Sequence, residues 1–183
     1  MNVVLLSVTD CLRTRYHGTV PYCVMVIIRR SERATSLTLV SDAAMFHRIL
    51  VPTDLTERAT KALDLALSLA APPGAGVVLL HVIEMVIGLD FEEAKPFYQK
   101  LEHKAQRILT TATDRVPKTS AEVVSEIVYG DRAEEIVRFA AAHKIDLIVL
   151  ASHKVAPSGK DRDWGTISYK VGILAQCPVL LVK

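Results

Sequence analysis

Residues 45–183 of this chain predict an α/β fold: a five-stranded parallel, doubly wound, Rossmann-like sheet with helices on both faces. Three observations carry that expectation. Five strand-length apolar runs recur along the segment, and stretches of helical periodicity separate them. Half of the chain's residues are hydrophobic and only 5% are aromatic, so the core is built from Val, Ile, Leu and Ala, the composition of a sheet covered on both sides. Strands and helices alternating in this way close into a parallel sheet through right-handed crossovers.

The first strand spans about Arg48 to Val51 and runs into Pro52-Thr53-Asp54. A helix follows from about Thr56 to Ala71, with Ala59, Ala62, Leu63, Ala66, Leu69 and Ala70 at helical spacing, and Pro72-Pro73-Gly74 stops it. Asp54 and Glu57 have the spacing of a capping box for its start. The second strand, Gly76 to Ile83, is a continuous apolar run apart from His81, which reads as a paired core residue rather than a ligand. A long helix, about Phe91 to Thr113, places Phe91, Ala94, Tyr98, Leu101, Ala105, Ile108 and Ala112 on one face. The third strand is about Glu122 to Tyr129. Gly130 then turns the chain, and Asp131, with Glu134 three residues on, caps a helix running to about His143. A strand at Asp146 to Leu150, a polar loop, a helix opened by Gly165-Thr166, and a last strand, Val179 to Val182, after Cys177-Pro178 complete the set.

The formal charge of +2 is informative in its placement. Residues 1–44 carry five Arg against Asp10, Glu32 and Asp42, a net of +2, which leaves 45–183 neutral. A neutral main domain gives no electrostatic case for nucleic acid. Cys11, Cys23 and Cys177 form neither a C-x-x-C pair nor an even disulfide framework, which favours a reducing compartment. No apolar run reaches the roughly 20 residues needed to span a bilayer. The early patch Val20 to Ile28 is interrupted by Pro21 and Tyr22 and lacks a small-residue cleavage site. A cytoplasmic protein with no membrane association is the expectation.

Residues 1–44 do not share the helix–strand rhythm and form a separate N-terminal extension, expected to be poorly ordered or loosely attached. Met45 stands directly before the first strand, so one reading makes 1–44 an upstream translation; the other makes it a targeting or docking arm. No reaction centre assembles either. The sequence has no G-x-S-x-G elbow, no H-E-x-x-H and no paired carboxylates on one helix face, which favours a binding module over an enzyme.

A strand feeding a polar loop that ends at a helix N-terminus is how α/β proteins hold phosphate, because free N–H groups and the helix dipole both face the anion. Pro52-Thr53-Asp54 and the loop after Leu150 both lie at strand carboxyl ends, where ligands bind in such sheets. Here the residues carry a resemblance. Arg48-Ile49-Leu50-Val51-Pro52-Thr53-Asp54, Leu80-His81-Val82-Ile83, Gly130 before a capped helix, Asp146-Leu147-Ile148-Val149, Gly165-Thr166 and Cys177-Pro178-Val179-Leu180-Leu181-Val182, in that order and spacing, resemble the universal stress protein family. The resemblance covers nearly all of 45–183 and does not extend to 1–44.

That resemblance implies a strand order of 3-2-1-4-5, homodimerisation through Val179–Val182, and a role in stress response. It also implies a site for ATP or a related adenine nucleotide, with Mg as companion ion. By resemblance Pro52, Thr53 and Asp54 line the adenine and ribose region, and Val82 contacts the base through its backbone. Leu150, Ala151, Ser152, His153, Lys154, Gly165, Thr166 and Ile167 complete the site. Nucleotide-binding members carry G-x-x-G, nine residues, then G-S or G-T. Here Ala151 and Lys154 stand at the first two glycines, and ten residues, Val155 to Trp164, precede Gly165-Thr166. Alanine for glycine costs about 1 kcal/mol where φ is positive or a phosphate must come close. Lys154 is bulkier, yet adds a cation that reaches phosphate as a point charge. Asp161 and Asp163 repel phosphate and Arg162 attracts it. His153 has no partner pattern for a metal, so no metal site is expected. Three functions follow from these residues: an adenine-nucleotide-responsive signalling module, a dimeric interaction scaffold without nucleotide, and a weak ATPase using Asp54 and Lys154.

Overall fold

Five strands run parallel through the centre of the protein and a short sixth closes one edge in the opposite sense. The computed structural model describes residues 25–27, 46–70, 74–86, 88, 90–117, 121–152 and 166–182. The strands are β1 (Met25–Ile27), β2 (Arg48–Pro52), β3 (Gly76–Glu84), β4 (Glu122–Gly130), β5 (Leu147–Ala151) and β6 (Val179–Val182). The helices are α1 (Glu57–Leu69), α2 (Phe91–Asp114), α3 (Arg132–Ala142) and α4 (Ile167–Leu174). The sheet order is β1-β6-β5-β2-β3-β4. Numbered from β2, the parallel part is the 3-2-1-4-5 order expected from the sequence. β1, which falls inside the 1–44 extension, pairs antiparallel with β6.

The apolar runs become central strands because side chains alternate between two covered faces. Ile49, Val51, Val77, Leu79, Leu147, Val149, Leu180 and Val182 point to one face and meet Ala62, Leu63 and Ala66 of α1 and Leu109 of α2. Leu50, Leu80, Val82, Ile148, Leu150, Val179 and Leu181 point to the other, under Ala133, Ile136 and Ala140 of α3 and Val171 of α4. Ile49, Leu50 and Val51 are all fully buried, which places β2 at the middle of both cores. A smaller cluster of Ile83, Ala94 and Tyr98 anchors the start of α2, where Phe91 stacks on Tyr98 with ring centroids 5.5 Å apart.

Side chains cap three of the four helix starts. Asp90 accepts from the N–H groups of Glu92 and Glu93, Asp131 from those of Ala133 and Glu134, and Thr166 from that of Tyr169, each satisfying donors that the first turn leaves unpaired. The capping box expected of Asp54 and Glu57 does not form. Thr56 holds the N-cap position of α1 without a side-chain bond, and α1 runs Glu57–Leu69, short of the expected Ala71. In α2 it is Leu109, 2% exposed, that reaches the core, while Ile108 is 36% exposed. The expected stripe holds at Ala94, Tyr98 and Ala105 and then drifts by one position, as a 3.6-residue repeat does over six turns.

Asp146 precedes β5 rather than opening it and links two strands far apart in sequence. Its carboxylate accepts from the backbone N–H of His47 at 2.8 Å and of Arg48 at 3.0 Å, and its own N–H donates to the Arg48 carbonyl at 2.9 Å. Among the described residues no helix is long and apolar enough to cross a membrane.

Candidate functional site

β2 pairs with β3 on one side and β5 on the other, both parallel, so the chain leaves it in opposite directions and the crossovers part. A cleft opens at the carboxyl ends of strands at such a point. Here it is a cavity of about 490 Å³, within the range of small-molecule sites. Pro52, Thr53 and Asp54 after β2, Val82 in β3, Leu150, Ala151 and Ser152 at the end of β5, and Thr166 and Ile167 at the start of α4 all line it. The structure thus brings together nine of the sequence-expected site residues. His153, Lys154 and Gly165, with Asp161, Arg162, Asp163 and Trp164, lie outside the described residues.

The β2 end of the cleft is held by a set of short bonds. Thr53 donates its N–H to the Leu80 carbonyl at 2.8 Å, and its hydroxyl accepts from Leu55 N–H at 3.0 Å. Its carbonyl lies 3.0 Å from His81 Nδ1. A carbonyl only accepts, so Nδ1 carries the hydrogen and neutral His81 keeps Nε2 as an acceptor. Leu55 is held at φ 62°, a left-handed conformation costly for a branched side chain. That turn aims Asp54. Asp54 Oδ1 accepts from the N–H and hydroxyl of Thr56, at 3.0 and 2.6 Å, while Oδ2 lies 3.9 Å from the Arg58 guanidinium. Partial burial raises the Asp54 pKa, but the Thr56 bonds and Arg58 outweigh it and hold the carboxyl below its ordinary value. Asp54 is therefore ionised at neutral pH and stands in the cleft lining as an acceptor.

The β5 end is built differently. Ser152 donates its N–H to the Val182 carbonyl at 2.7 Å, and the Ser168 hydroxyl reaches Ser152 Oγ at 3.4 Å, joining the strand end to the start of α4. Among the described residues other than glycine, positive φ occurs only at Leu55 and Lys144. Ala151 therefore sits where a methyl group strains nothing in the backbone, and only close approach of a ligand gives glycine an advantage there.

Sequence reasoning missed four polar lining residues: Arg58, His81, Arg132 and Ser168. Arg58 lies one helical turn past Asp54, a spacing that could have marked it. Arg132 is the first residue of α3 and pairs with Glu84 of β3 at 3.0 Å. It follows the Gly130-Asp131 turn, where Gly130 has φ 146° and a Cβ would meet Glu135 Oε1 at 2.7 Å. His81 reads from sequence as a paired residue, and it is paired, yet it also faces the cleft. A larger cavity of about 600 Å³ lies between α1 and α2, floored by residues such as Leu63, Leu79 and Leu109 and rimmed by Lys104, Arg107 and Arg115. It shares Thr53 with the first but lies between helices rather than where the strand order reverses, so the switch-point cleft is the candidate site. Among the described residues no cluster of His, Cys, Asp and Glu could hold a metal ion.

A parallel sheet of this order, with a polar cleft at the reversal of strand direction, defines the doubly wound α/β binding proteins. The sequence narrows the class. A model of the Universal stress protein family matches residues 45–183, and the chain belongs to that family. A universal stress protein of Thermus aquaticus is 32% identical over 143 residues, spanning 76% of this chain and 100% of that one. Among solved structures, the universal stress protein UspA from Lactobacillus plantarum superposes with a TM-score of 0.62 at 25% identity, over 77% of this chain and 100% of that one. Two further universal stress proteins share the fold at TM-scores of 0.55 and 0.54. One, at 24% identity over 75% of this chain and 97% of that one, was solved in complex with cAMP. The other, from Archaeoglobus fulgidus, at 21% identity over 76% of this chain and 99% of that one, was solved in complex with dAMP.

Proposed function

We propose that this chain is a stress-response signalling module that binds an adenine nucleotide in the switch-point cleft. The observation that carries the reading is the convergence of nine expected residues, with Arg58, His81 and Arg132, on one cavity of about 490 Å³. Its chemistry suits a nucleoside with a small phosphate load. The apolar walls, Leu80, Val82, Leu150 and Ile167, accept a base. Asp54 Oδ2 is an ionised acceptor for ribose hydroxyls. Arg58, Arg132 and the start of α4 supply positive potential for phosphate. The complexes of other family members with cAMP and dAMP support the adenine class and are facts about those proteins. The chain holds the nucleotide and responds to it; turnover is not part of the reading. ATP with Mg is the finer form, and Ala151 at a first-glycine position weighs against a bulky polyphosphate.

Thermal unfolding of the full chain with AMP, cAMP and Mg-ATP tests this directly. A ligand at 100 times its Kd adds about 2.7 kcal/mol, a rise in Tm of about 5–11 °C for a protein of this size. AMP or cAMP should raise Tm, with Mg-ATP equal or weaker. No shift with any of the three at millimolar concentration refutes the proposal and leaves the dimeric scaffold as the function. Timed phosphate release with Mg-ATP should stay at background; release above it favours the ATPase.

A further inference from the structure

The cavity of about 600 Å³ between α1 and α2 is separate from the switch-point cleft. It lies on the opposite face of the sheet, over Leu79 rather than Leu80, and shares only Thr53 with the cleft lining. The two faces are covered differently. α3 and α4 pack against each other, whereas α1 lies mainly over β5 and β2, α2 over β4 and β3, and the two scarcely touch. The gap between them is floored by Leu63, Leu79 and Leu109, with Leu67 and Ala112 beside them.

Charge is sorted across this gap. Lys104, Arg107 and Arg115 line it from α2 and its C-cap, with Ile108 and Thr111 between them. The chain steps of three and four residues from Lys104 to Thr111 and on to Arg115 keep these side chains on one helix face. Glu57, Thr60 and Asp64 line it from α1 at the same spacing. Among the described residues no carboxylate pairs with Lys104, Arg107 or Arg115, and no cation pairs with Glu57 or Asp64. One wall is therefore cationic, the facing wall anionic and the floor aliphatic.

We propose that this cavity is a second ligand site, for an unbranched apolar monoanion whose carboxylate head is held by Lys104 and Arg107 and whose aliphatic tail lies on the leucine floor. A gap between two helices is elongated, which suits a linear chain. Lys104 and Arg107 stand within one turn and can grip a single head together, the guanidinium as a fork and the ammonium as a point charge. Arg115 is about 12 Å farther along the helix, too far to share that head, and adds only positive potential. Glu57 and Asp64 are about 10 Å apart along α1, so the acidic wall offers a cationic head no such pair and turns an anionic head towards α2. The site stands whether or not the cleft binds a nucleotide.

Isothermal titration of the full chain with decanoate, decanol and decylamine, each below its aggregation concentration, separates head from tail. Decanoate should bind once per chain and about tenfold or more tighter than decanol, the least that hydrogen bonds to a charged group supply. Octanoate, two methylenes shorter, should bind up to about 15-fold more weakly than decanoate. Lys104→Gln/Arg107→Gln alters two exposed side chains and should bring decanoate down to the affinity of decanol while leaving decanol unchanged. Thr111→Trp, at an exposed position in the wall, fills the gap and should weaken decanoate and decanol alike. AMP should not compete with decanoate. No saturable binding at millimolar decanoate, decylamine binding as tightly as decanoate, an unaffected Lys104→Gln/Arg107→Gln variant, or competition by AMP would each overturn the proposal. So would a change of mass in light scattering on Thr111→Trp, which would make the gap an interface between copies.

Discussion

Replacing Asp54 separates its two jobs, shaping a turn and accepting from a ligand. In Asp54→Ala the N–H and hydroxyl of Thr56 lose their bonds to Oδ1 at 3.0 and 2.6 Å. Hydrogen bonds contribute about 0.5–1.5 kcal/mol each net, and the carboxylate is half exposed, with 52% side-chain accessibility, which puts its contribution toward the lower end. A loss of about 1–2 kcal/mol follows, or roughly 2–8 °C in Tm. Ligand binding should fall further. A hydrogen bond to a charged acceptor contributes about 1.5–3 kcal/mol, so losing Oδ2 should weaken AMP binding by about 10- to 150-fold. Asp54→Asn keeps an acceptor at Oδ1, so its Tm should stay near wild type while its affinity drops to an intermediate value. Isothermal titration with AMP, run well below the lowest Tm, measures the binding part. If Asp54→Ala binds as tightly as wild type, Asp54 does not hold the ribose and the proposed orientation in the cleft is wrong. If Asp54→Asn loses as much Tm as Asp54→Ala, the turn depends on charge and not on the Thr56 bonds.

Three other outcomes are expected. Gly130→Ala should destabilise by about 1–3 kcal/mol, because φ is 146° there and the new Cβ meets Glu135 Oε1; an unchanged Tm would show that the turn relaxes freely. Ile148→Ala should cost about 2–5 kcal/mol in denaturant unfolding, since Ile148 is fully buried in the α3–α4 core; a loss under 1 kcal/mol would mean that the core collapses around it. The Asp54 pKa is lowered on folding, so its stabilisation is complete above the unfolded value near 3.9 and is lost as pH falls through the folded one. The stability gap between wild type and Asp54→Ala should be constant from pH 6 to 8 and shrink below about pH 4; a gap that widens on acidification contradicts the sign.

The central strands were legible because β2, β3 and β5 are short apolar runs bounded by turn residues, and local sequence alone sets that signal. β1 was not. It lies inside the visible apolar patch Val20 to Ile28, but its partner β6 is about 150 residues away, and nothing local announces a non-local pairing. The Asp54–Glu57 spacing suggested a capping box because spacing carries no φ; Leu55 at 62° turns the carboxylate towards Thr56 instead. Leu109 displaced Ile108 because an idealised stripe does not track a helix of 24 residues to its end. The cleft was read from its backbone frame and its small residues. Arg58 and Arg132 escaped notice since charged residues at helix starts are usually solvated, and only folding shows which ones face a cavity.

The Asp146 bridge at the foot of β2 and β5 acts as a vernier for the cleft at their other end. Both strands are apolar on both faces, so sliding one past the other exposes no charge and hydrophobicity alone indexes their alignment poorly. A step of one residue would carry Ala151-Ser152 about 3.3 Å along β2 relative to Thr53-Asp54, enough to misplace every group that a bound molecule touches. The bonds from His47 and Arg48 to a single carboxylate tolerate no such step. Calibration of the binding end is thus written into a residue at the opposite end of the same two strands.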